Sequence, residues 1–345
     1  MALIFWSDPH LGLNRTSHTT PASRKALRDA LFNQAKRIVT GADTYICLGD
    51  LFDTTDNEES IILQGAEIAN RCGLVLSGNH DLPNRDGKLS SLQLIGELAT
   101  ESAIALDDDS PQHFVLEFPE ARVVAVPHKR TQQLFDEALN VLMAGNNGRD
   151  KPRILTLHCN YNSGYAHDDA TLNLTREQAE WLLKVFDYIL IGHEHIARAD
   201  FDGRLQILGN THPTSFSDIS NKYMWRFDGT ALQPLPIWSA DENSWVYDWE
   251  ALVSGQVFGG DSAEFVEITG TAPAARMPDI AKAIQKFWSE HPETYMVRNN
   301  VKAEQLILEQ VEVSKALDIP SKITASLQGS KLLPLWQQYL ERANG

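Results

Sequence analysis

Short apolar runs alternate with longer stretches of helical periodicity over the first 195 residues of the chain. The apolar runs predict six buried β-strands, at residues 3–6, 44–48, 74–76, 122–126, 154–157 and 188–191. Between several of these runs, apolar side chains recur every three or four residues, as they do along one face of a helix. Alternation of this kind is typical of a layered α/β fold.

Two of the predicted helices have recognisable N-terminal caps. Thr20 precedes Pro21, and proline is favoured at the first helical position. Thr175 and Gln178 have the spacing of a capping box, in which each side chain accepts a hydrogen bond from the other residue's backbone. We therefore expect helices that begin directly after Thr20 and after Thr175.

The pattern changes after residue 191 to strand, turn and strand. Asp-Gly turns at Asp202 and Asp228 predict two antiparallel hairpins, at residues 197–208 and 223–232, which close a first domain of residues 1–240. Residues 234–260 are rich in Pro, Trp, Ser and Gly and have no clear period, so the sequence predicts a connection there.

The rest of the chain predicts a small α+β domain and a helical tail. A strand at 263–269, a helix at 278–290 and a strand at 295–303 form the small domain, which we assign to residues 255–303. The tail, residues 304–345, has helical stretches around 306–317 and 332–340 but too few apolar residues for a core of its own. We expect the tail to pack on its own chain or on a partner.

Composition restricts the class of protein further. A chain of 345 residues with 43% hydrophobic content can bury a sizeable core. Cys47, Cys72 and Cys159 are odd in number and far apart, which supports neither a disulfide framework nor a thiolate zinc site. No apolar stretch is long enough for a signal peptide or a membrane helix, so we expect a cytoplasmic protein without a membrane partner, in the host cytoplasm if a phage encodes it.

The formal charge of −16 argues against a polycation that coats nucleic acid. It does not exclude a nucleic-acid enzyme, because such an enzyme can bind through a local basic track and metal ions.

Side chains that can bind a metal ion follow five of the six apolar runs. They are Asp8, His10, Asp50, Asn79, His158, His193 and His195. In open α/β sheets the carboxyl ends of the strands form the binding crevice, so these side chains can converge despite their distance in sequence. Carboxylate, amide and imidazole ligands without a thiolate suit Mn, Fe or Zn.

Two ions about 3.5 to 4 Å apart need one bridging carboxylate, and Asp50 is the candidate. Gly49, Gly78 and Gly192 fit a crowded centre, since glycine lets the backbone turn sharply. Each motif alone has an ordinary explanation; Gly-Asn-His-Asp, for example, can form a simple turn. Their joint occurrence at five strand ends favours a metal site.

The five motifs, Asp-Pro-His, Gly-Asp, Gly-Asn-His-Asp, His and Gly-His-Glu-His, resemble those of the calcineurin-like metallophosphoesterases. Within that superfamily the chain is most similar to the Mre11 and SbcD nucleases of bacterial or phage type. The likeness rests on Gly-Asp-Leu-Phe-Asp-Thr at 49–54, on Asp81, and on Gly-Asn-Thr-His-Pro-Thr-Ser-Phe at 209–216, which resembles the SbcD stretch Gly-Ser-x-x-Pro-x-Ser-Phe. The small domain resembles the capping domain of these nucleases in its pattern.

The resemblance implies roles for individual residues. Metal 1 would be held by Asp8, His10, Asp50 and His195, and metal 2 by Asp50, Asn79, His158 and His193. Mn²⁺ is the leading ion, with Mg²⁺, Fe²⁺ and Zn²⁺ as alternatives. His80 matches the catalytic histidine, which would stabilise the phosphorane or protonate the leaving oxygen, and a metal-activated hydroxide would be the nucleophile.

Two positions depart from the family pattern. Pro9 stands in the middle of Asp-x-His, where it stiffens the loop without removing a ligand. Asp53 stands where some Mre11 proteins carry a histidine linked to exonuclease direction, so that role is not assigned here.

The leading hypothesis is a Mn-dependent DNA exo/endonuclease that works with a Rad50/SbcC-like coiled-coil ATPase in DNA end processing or degradation. The tail would bind the ATPase, and residues 58–71 would form a homodimer contact. Arg85, Lys88, His128 and Lys129 follow strand ends and are candidates for contacts with the phosphates of DNA, with ordinary solvated loops as the alternative. A small-molecule phosphodiesterase acting on cyclic nucleotides and a noncatalytic scaffold of the same fold are the rival hypotheses.

Overall fold

The computed structural model describes residues 1–82, 88–98, 103–106, 109–144, 150–164, 172–256, 263–304, 323–324, 326–330 and 332–343. The strands are β1 (Leu3–Trp6), β2 (Thr44–Cys47), β3 (Cys72–Leu76), β4 (Ala103–Ala105), β5 (Phe114–Glu117), β6 (Arg122–Val126), β7 (Arg153–His158), β8 (Asn160–Tyr161), β9 (Asn173–Leu174), β10 (Tyr188–Gly192), β11 (Arg198–Asp200), β12 (Leu205–Ile207), β13 (Lys222–Phe227), β14 (Leu232–Trp238), β15 (Ser244–Asp248), β16 (Phe265–Thr269), β17 (Thr271–Ala272), β18 (Met296–Asn299) and β19 (Lys302–Ala303). The α-helices are α1 (Pro21–Ile38), α2 (Glu59–Ala69), α3 (Ser91–Leu98), α4 (Gln132–Ala144), α5 (Arg176–Leu182), α6 (Ala240–Asn243), α7 (Trp249–Ser254), α8 (Met277–Glu290) and α9 (Leu333–Ala343). Short 3₁₀ turns lie at Asn79–Asp81, Phe201–Gly203 and Ala274–Arg276.

Two six-stranded sheets form the centre of the larger unit. The first has the order β14-β13-β1-β2-β3-β4 and the second β11-β12-β10-β7-β6-β5. Strands β1 to β4 run parallel, as do β6, β7, β10 and β12, while antiparallel strands complete the edges. The parallel strands of each sheet therefore end at a common edge. The predicted ligands directly follow these strands in the sequence, so they lie at that edge.

Three apolar layers hold this sandwich together. On β1, Leu3 and Phe5 lie in the layer between the sheets, while Ile4 and Trp6 lie in the layer under α1 to α3. A third layer joins the second sheet to α4 and α5. Successive side chains of a strand point to opposite faces, so a strand covered on both faces is apolar throughout. This is why β1 appears in the sequence as an unbroken apolar run, and the predicted layered α/β sandwich is confirmed.

Both predicted helix caps are present. The Thr20 hydroxyl accepts a hydrogen bond from the Ser23 N–H at 3.1 Å, and the Ser23 hydroxyl accepts one from the Thr20 N–H at 2.9 Å. Thr175 and Gln178 form the same reciprocal pair, at 3.2 and 2.9 Å. These side chains satisfy N–H groups that have no partner within the helix.

The prediction of a connection at 234–260 is wrong. That segment contains the end of β14, then α6, β15 and α7. Strand β15 pairs in parallel with β16, and Tyr247, Trp249 and Leu252 are buried in the core of the small unit. The small unit therefore begins at Ser244, before the predicted boundary at 255. A five-residue strand next to a six-residue helix is too short to show a period.

The small unit has a parallel sheet of order β15-β16-β18 and a second pair, β17 with β19. Glu264 links it to the larger unit: its carboxylate accepts hydrogen bonds from Trp238 Nε1 at 2.6 Å and His212 Nε2 at 3.1 Å. Phe265 and Met296 add apolar contacts with residues of α1. Polar and apolar contacts together stabilise the interface between the two units.

Replacement of Glu264 tests how much its hydrogen bonds across this interface contribute to stability. Glu264→Ala leaves the two donors on Trp238 and His212 without their acceptor, so we expect the free energy of unfolding to fall by about 1 to 3 kcal/mol in urea titrations. Glu290→Ala is the matched control, because its side chain is 55% exposed on α8, and it should change stability by less than about 0.5 kcal/mol. Equal stability of the two variants would contradict the prediction.

In the tail, α9 matches the predicted helical stretch at 332–340. The other predicted stretch, 306–317, lies outside the described residues. No helix within the described ranges is long and apolar enough to span a membrane.

Candidate metal centre

The structure brings the predicted ligands together at the carboxyl ends of β1, β2, β3, β7 and β10. Their ligand atoms form two groups within 4.8 Å, one of Asp8, His10 and His195 and the other of Asp50, His158 and His193. The Asn79 Oδ1 atom joins the second group, 2.9 Å from His193 Nδ1 and 3.1 Å from His158 Nε2.

Asp50, a member of the second group, also lies close to the first. Its Oδ2 atom is 3.9 Å from His10 Nε2 in the first group and 3.4 Å from His158 Nε2 in the second. Its Oδ1 atom accepts a hydrogen bond from the His80 N–H at 3.0 Å. A carboxylate at this place can bridge two ions.

Four of the seven residues have a left-handed backbone: φ is 55° at Asp8, 47° at His10, 49° at Asp50 and 88° at His193. Positive φ is uncommon for residues other than glycine, and such strain is concentrated at functional sites. Each of these residues lies just past the end of a strand, where the unusual turn directs the side chain toward the centre.

The three glycines of the motifs leave no room for a side chain. A Cβ atom on Gly49 would lie 2.3 Å from His158 Nδ1, one on Gly78 2.1 Å from Asp50 Oδ1, and one on Gly192 2.2 Å from the Ser7 hydroxyl. The predicted close approach of backbone to the centre is therefore present.

Gly49→Ala tests how tightly the centre is packed. Gly49 has φ of +108° and a clash with His158, whereas Gly255 has φ of +73° and nothing within 4 Å, so Gly255→Ala is a matched control for backbone strain alone. We expect Gly49→Ala to lose about 3 kcal/mol or more of unfolding free energy and to bind ions poorly, and Gly255→Ala to lose about 1 kcal/mol. Urea titration and calorimetry measure both, and equal losses would contradict the clash.

Two hydrogen bonds and one ion-pair contact, each on the outer side of a ring, orient three imidazoles. His158 Nδ1 donates to the Leu48 carbonyl at 2.7 Å, and His195 Nδ1 donates to Asp218 Oδ2 at 3.1 Å. His10 Nδ1 lies 3.3 Å from Asp53 Oδ1. These partners favour a ring proton on Nδ1 and turn each Nε2 toward the centre, where a bound ion would take the place of a second proton.

Electron-pair donors then face one another. His10 Nε2 and His195 Nε2 are 3.0 Å apart, a distance at which the two lone pairs need a proton or a metal ion between them. In the other group, His158 Nε2 lies 3.1 Å from Asn79 Oδ1 and 3.4 Å from Asp50 Oδ2, and a protonated ring can donate to either oxygen. The donor set of oxygens and imidazoles without thiolate thus fits divalent metal ions.

The charges of the centre also favour cations. Burial by itself would lower the pKa of His158, yet the charge and hydrogen bond of Asp50 raise that pKa to about 9. Burial opposes ionisation of Asp50, but His158 holds its pKa well below the usual range. The centre therefore stabilises positive charge at the place where an ion would bind.

His80, the predicted catalytic histidine, lies beside the centre. Its Nδ1 donates to the Asp53 carbonyl at 2.6 Å, and its ring meets that of His10 edge to face at 5.2 Å. The ring is only partly buried. Nε2 is therefore the nitrogen left to act on a substrate.

The predicted DNA contacts fall into three cases. Lys88 is exposed, and Arg85 lies outside the described residues. His128 and Lys129 are buried, with 1% and 0% of their surfaces exposed, which contradicts the exposed loop expected there. His128 Nδ1 donates to the His158 carbonyl at 3.0 Å, so this residue supports a predicted ligand from behind.

Buried His128 should make the protein sensitive to acid. Burial and the neighbouring His158 lower the pKa of His128 from 6.5 to about 3. The folded state therefore favours the neutral ring, and the stability it contributes is full above pH 6.5 and decreases as the pH falls toward 3. His128→Asn keeps a donor near the Nδ1 position but cannot be protonated. Between pH 6.5 and 5 we expect the free energy of unfolding of this variant to fall by about 1 to 2 kcal/mol less than that of the wild type.

Urea titrations of chelator-treated protein at several pH values measure this difference. His18→Asn is the control, because His18 is exposed. Parallel pH profiles for the wild type and His128→Asn would contradict the prediction.

Sequence reasoning missed the residues that support the ligands. Asp81 accepts hydrogen bonds from the Gly78, Leu51 and Phe52 N–H groups, at 3.0, 3.2 and 3.2 Å, and so ties two ligand loops together. Burial would raise the pKa of Asp218, but His195 and the Thr214 N–H hold it well below the usual range. The only sequence signal for Asp218 was its place just after the segment at 209–216.

A layered α/β sandwich whose strand ends gather carboxylates, imidazoles and an amide oxygen into groups that could hold metal ions is the arrangement of a metal-dependent phosphoesterase. Residues 1–197 match the model of the calcineurin-like phosphoesterase family. That match covers more than half of the 345 residues, and the chain belongs to this family. The resemblance found in the five motifs is thereby confirmed at the level of the superfamily.

No curated protein matches the chain in sequence. Among the 65 solved chains that match in structure is a conserved protein from Streptococcus pneumoniae described as a predicted phosphoesterase. It is 13% identical, the match covers 70% of this chain and 90% of that chain, and the TM-score is 0.30. A likeness at this level says nothing about the substrate.

Proposed function

We propose that this phosphoesterase is a Mn-dependent DNA exo/endonuclease of the Mre11/SbcD type, which hydrolyses phosphodiester bonds in DNA end processing or degradation. The observation that carries the proposal is the segment Gly-Asn-Thr-His-Pro-Thr-Ser-Phe at 209–216, which resembles the SbcD nucleases more specifically than the metal motifs do. The metal motifs alone serve many substrates.

The contacts of this segment support the proposal. The Asn210 N–H donates to the carbonyl of His195 at 3.3 Å. Thr214 and Ser215 donate to Asp218, the carboxylate that holds the His195 ring. The stretch that resembles DNA nucleases is therefore part of the support of the metal centre and not a remote surface loop.

The residues have distinct roles in this proposal. Asp8, His10, Asp50 and His195 would hold one ion, and Asp50, Asn79, His158 and His193 the other. Two divalent ions, with Mn²⁺ the leading choice, would supply Lewis-acid stabilisation and a nucleophile at neutral pH. His80 would act on the scissile group through Nε2, either as the acid for the leaving oxygen or as a stabiliser of the phosphorane.

The proposal includes a partner, a Rad50/SbcC-like coiled-coil ATPase. Helix α9 supports it, because Leu335 and Tyr339 are 63% and 61% exposed on a short amphipathic helix at the end of the chain. Apolar helix faces of this kind bind grooves and coiled coils. A homodimer contact through residues 58–71 belongs to the same proposal, and Leu63 on α2 is 70% exposed there.

Substrate comparison tests the proposed function. Purified full-length chain with Mn²⁺ is given linear DNA, hairpin DNA, cyclic nucleotides and bis-p-nitrophenyl phosphate, with and without an ATPase partner. Asp50→Asn, prepared in the same way, controls for contaminating nucleases. We expect Mn²⁺-dependent cleavage of DNA that is lost on chelation.

Hydrolysis of bis-p-nitrophenyl phosphate without any cleavage of DNA would overturn the nuclease proposal. Faster turnover of cyclic nucleotides than of DNA would favour the small-molecule phosphodiesterase instead. Protein that takes up no Mn²⁺ even in excess would favour the noncatalytic scaffold.

A further inference from the structure

Asp218 lies in a site built to hold a carboxylate. The residue is 4% exposed. Oδ2 accepts hydrogen bonds from Asn210 Nδ2 at 2.7 Å and from the N–H and hydroxyl of Thr214, each at 3.0 Å. Oδ1 accepts from the N–H and hydroxyl of Ser215, at 2.8 and 2.9 Å. A buried carboxylate with this many donors has one position and one charge state.

Lys222 joins the backbones of Asp218 and His195. The lysine is 1% exposed, and its Nζ donates to the backbone carbonyls of Asp218 and His195, at 2.5 and 3.1 Å. The third acceptor is the Ser220 hydroxyl at 3.1 Å. An ammonium group has three protons to donate, so all three have an acceptor here.

The fixed carboxylate determines how His195 faces the ions. Because a carboxylate only accepts, the 3.1 Å contact places the proton of the His195 ring on Nδ1 and leaves the Nε2 lone pair for an ion. On the other side of the centre, the acceptor behind the ring of His158 is neutral: its Nδ1 donates to the backbone carbonyl of Leu48. A charged acceptor makes an imidazole a stronger ligand than a neutral carbonyl does.

We propose that Asp218 is a positioning residue for His195, and that it sets the affinity of the ion held by Asp8, His10 and His195 separately from that of the second ion. The proposal rests on the two-ion centre of the proposed function but not on DNA as the substrate. According to this proposal the two ions bind with unequal affinity. The first binds more tightly because Asp218, 23 residues beyond His195, accepts a hydrogen bond from that ligand.

Calorimetric titration of ion-free, full-length protein with Mn²⁺ tests the proposal. The wild type should bind two ions. In Asp218→Asn one binding step should weaken by about 10- to 100-fold, while the other changes by less than about threefold. Asp228→Asn is the matched control, since Asp228 also accepts hydrogen bonds in a turn, from Thr230 and Ala231, and it should leave both steps unchanged.

Equal weakening of both steps, together with a lower melting temperature, would mean a merely structural role and overturn the proposal. So would two unchanged steps. If Asp218→Asn does not fold, ¹⁵N resonances of the His195 ring in ion-free wild type decide the question: a proton on Nδ1 supports the proposal, and a proton on Nε2 overturns it. Selective weakening without any cleavage of DNA would refute the nuclease assignment alone.

Discussion

Asp50→Asn is expected to lower phosphodiester hydrolysis by about 10³-fold or more. The carboxylate is 3.9 Å from His10 Nε2 in one ligand group and 3.4 Å from His158 Nε2 in the other, so its loss would weaken the binding of an ion in either group. Lewis-acid stabilisation by bound ions contributes several kcal/mol, and about 4 kcal/mol corresponds to that factor. Asparagine tolerates the left-handed backbone of residue 50, so the substitution tests the charge and not the turn.

Initial rates with bis-p-nitrophenyl phosphate and Mn²⁺, together with calorimetric ion binding, measure the effect. Asp29→Asn is the matched control, because Asp29 is exposed on α1 and pairs only with Lys25 among the contacts described, at 2.9 Å. The control should keep the wild-type rate. An Asp50→Asn variant that retains more than a tenth of that rate would show that Asp50 is not the bridge.

His80→Gln is expected to lower the rate of DNA cleavage by about 10²- to 10⁴-fold while ion binding stays within a few fold of the wild type. His80 belongs neither to the group of Asp8, His10 and His195 nor to that of Asp50, His158 and His193, although it lies within 4.8 Å of His10 and Asp53. The 2.6 Å bond from Nδ1 to the Asp53 carbonyl leaves Nε2 for the substrate. A variant that loses turnover but still binds ions would show that His80 is a catalytic group and not a metal ligand.

Two substrates separate the two roles proposed for His80. Nitrophenolate leaves without a proton, so a general acid matters little for bis-p-nitrophenyl phosphate, and the loss there should stay below about tenfold if His80 protonates the leaving oxygen. Similar losses on DNA and on the nitrophenyl ester would instead assign stabilisation of the phosphorane. His18→Gln, at an exposed position, is the control. Full activity of His80→Gln on both substrates would remove His80 from the mechanism.

Local signals in the sequence predicted much of the fold. The unbroken apolar run of β1, the reciprocal caps at Thr20 and Thr175, and the Asp-Gly turn at Asp228 each depend on residues within one element or turn, so each can be predicted without knowledge of the rest. The prediction failed at 244–254, where β15 and α7 are too short for a period and are stabilised by packing in the small unit.

The convergence of the seven side chains was also predictable from the sequence, because the carboxyl ends of parallel strands meet at one edge of a sheet. The burial of His128 and Lys129 was not, since a residue just past a strand end has no local signal that another loop covers it. The left-handed conformations of Asp8 and His10 were likewise invisible in the sequence.

The sequence by itself thus determined the layered fold, the ligand types and their meeting place, because periodicity and strand order follow from short-range patterns. Only the tertiary structure decided which nitrogen of His195 and of His158 faces the centre. That choice depends on the acceptor behind the ring, Asp218 for His195 and the Leu48 carbonyl for His158, and these partners lie 23 and 110 residues away along the chain. Hydrogen bonds between residues so far apart in sequence form only after the sheets have folded, and no local pattern of residues encodes them.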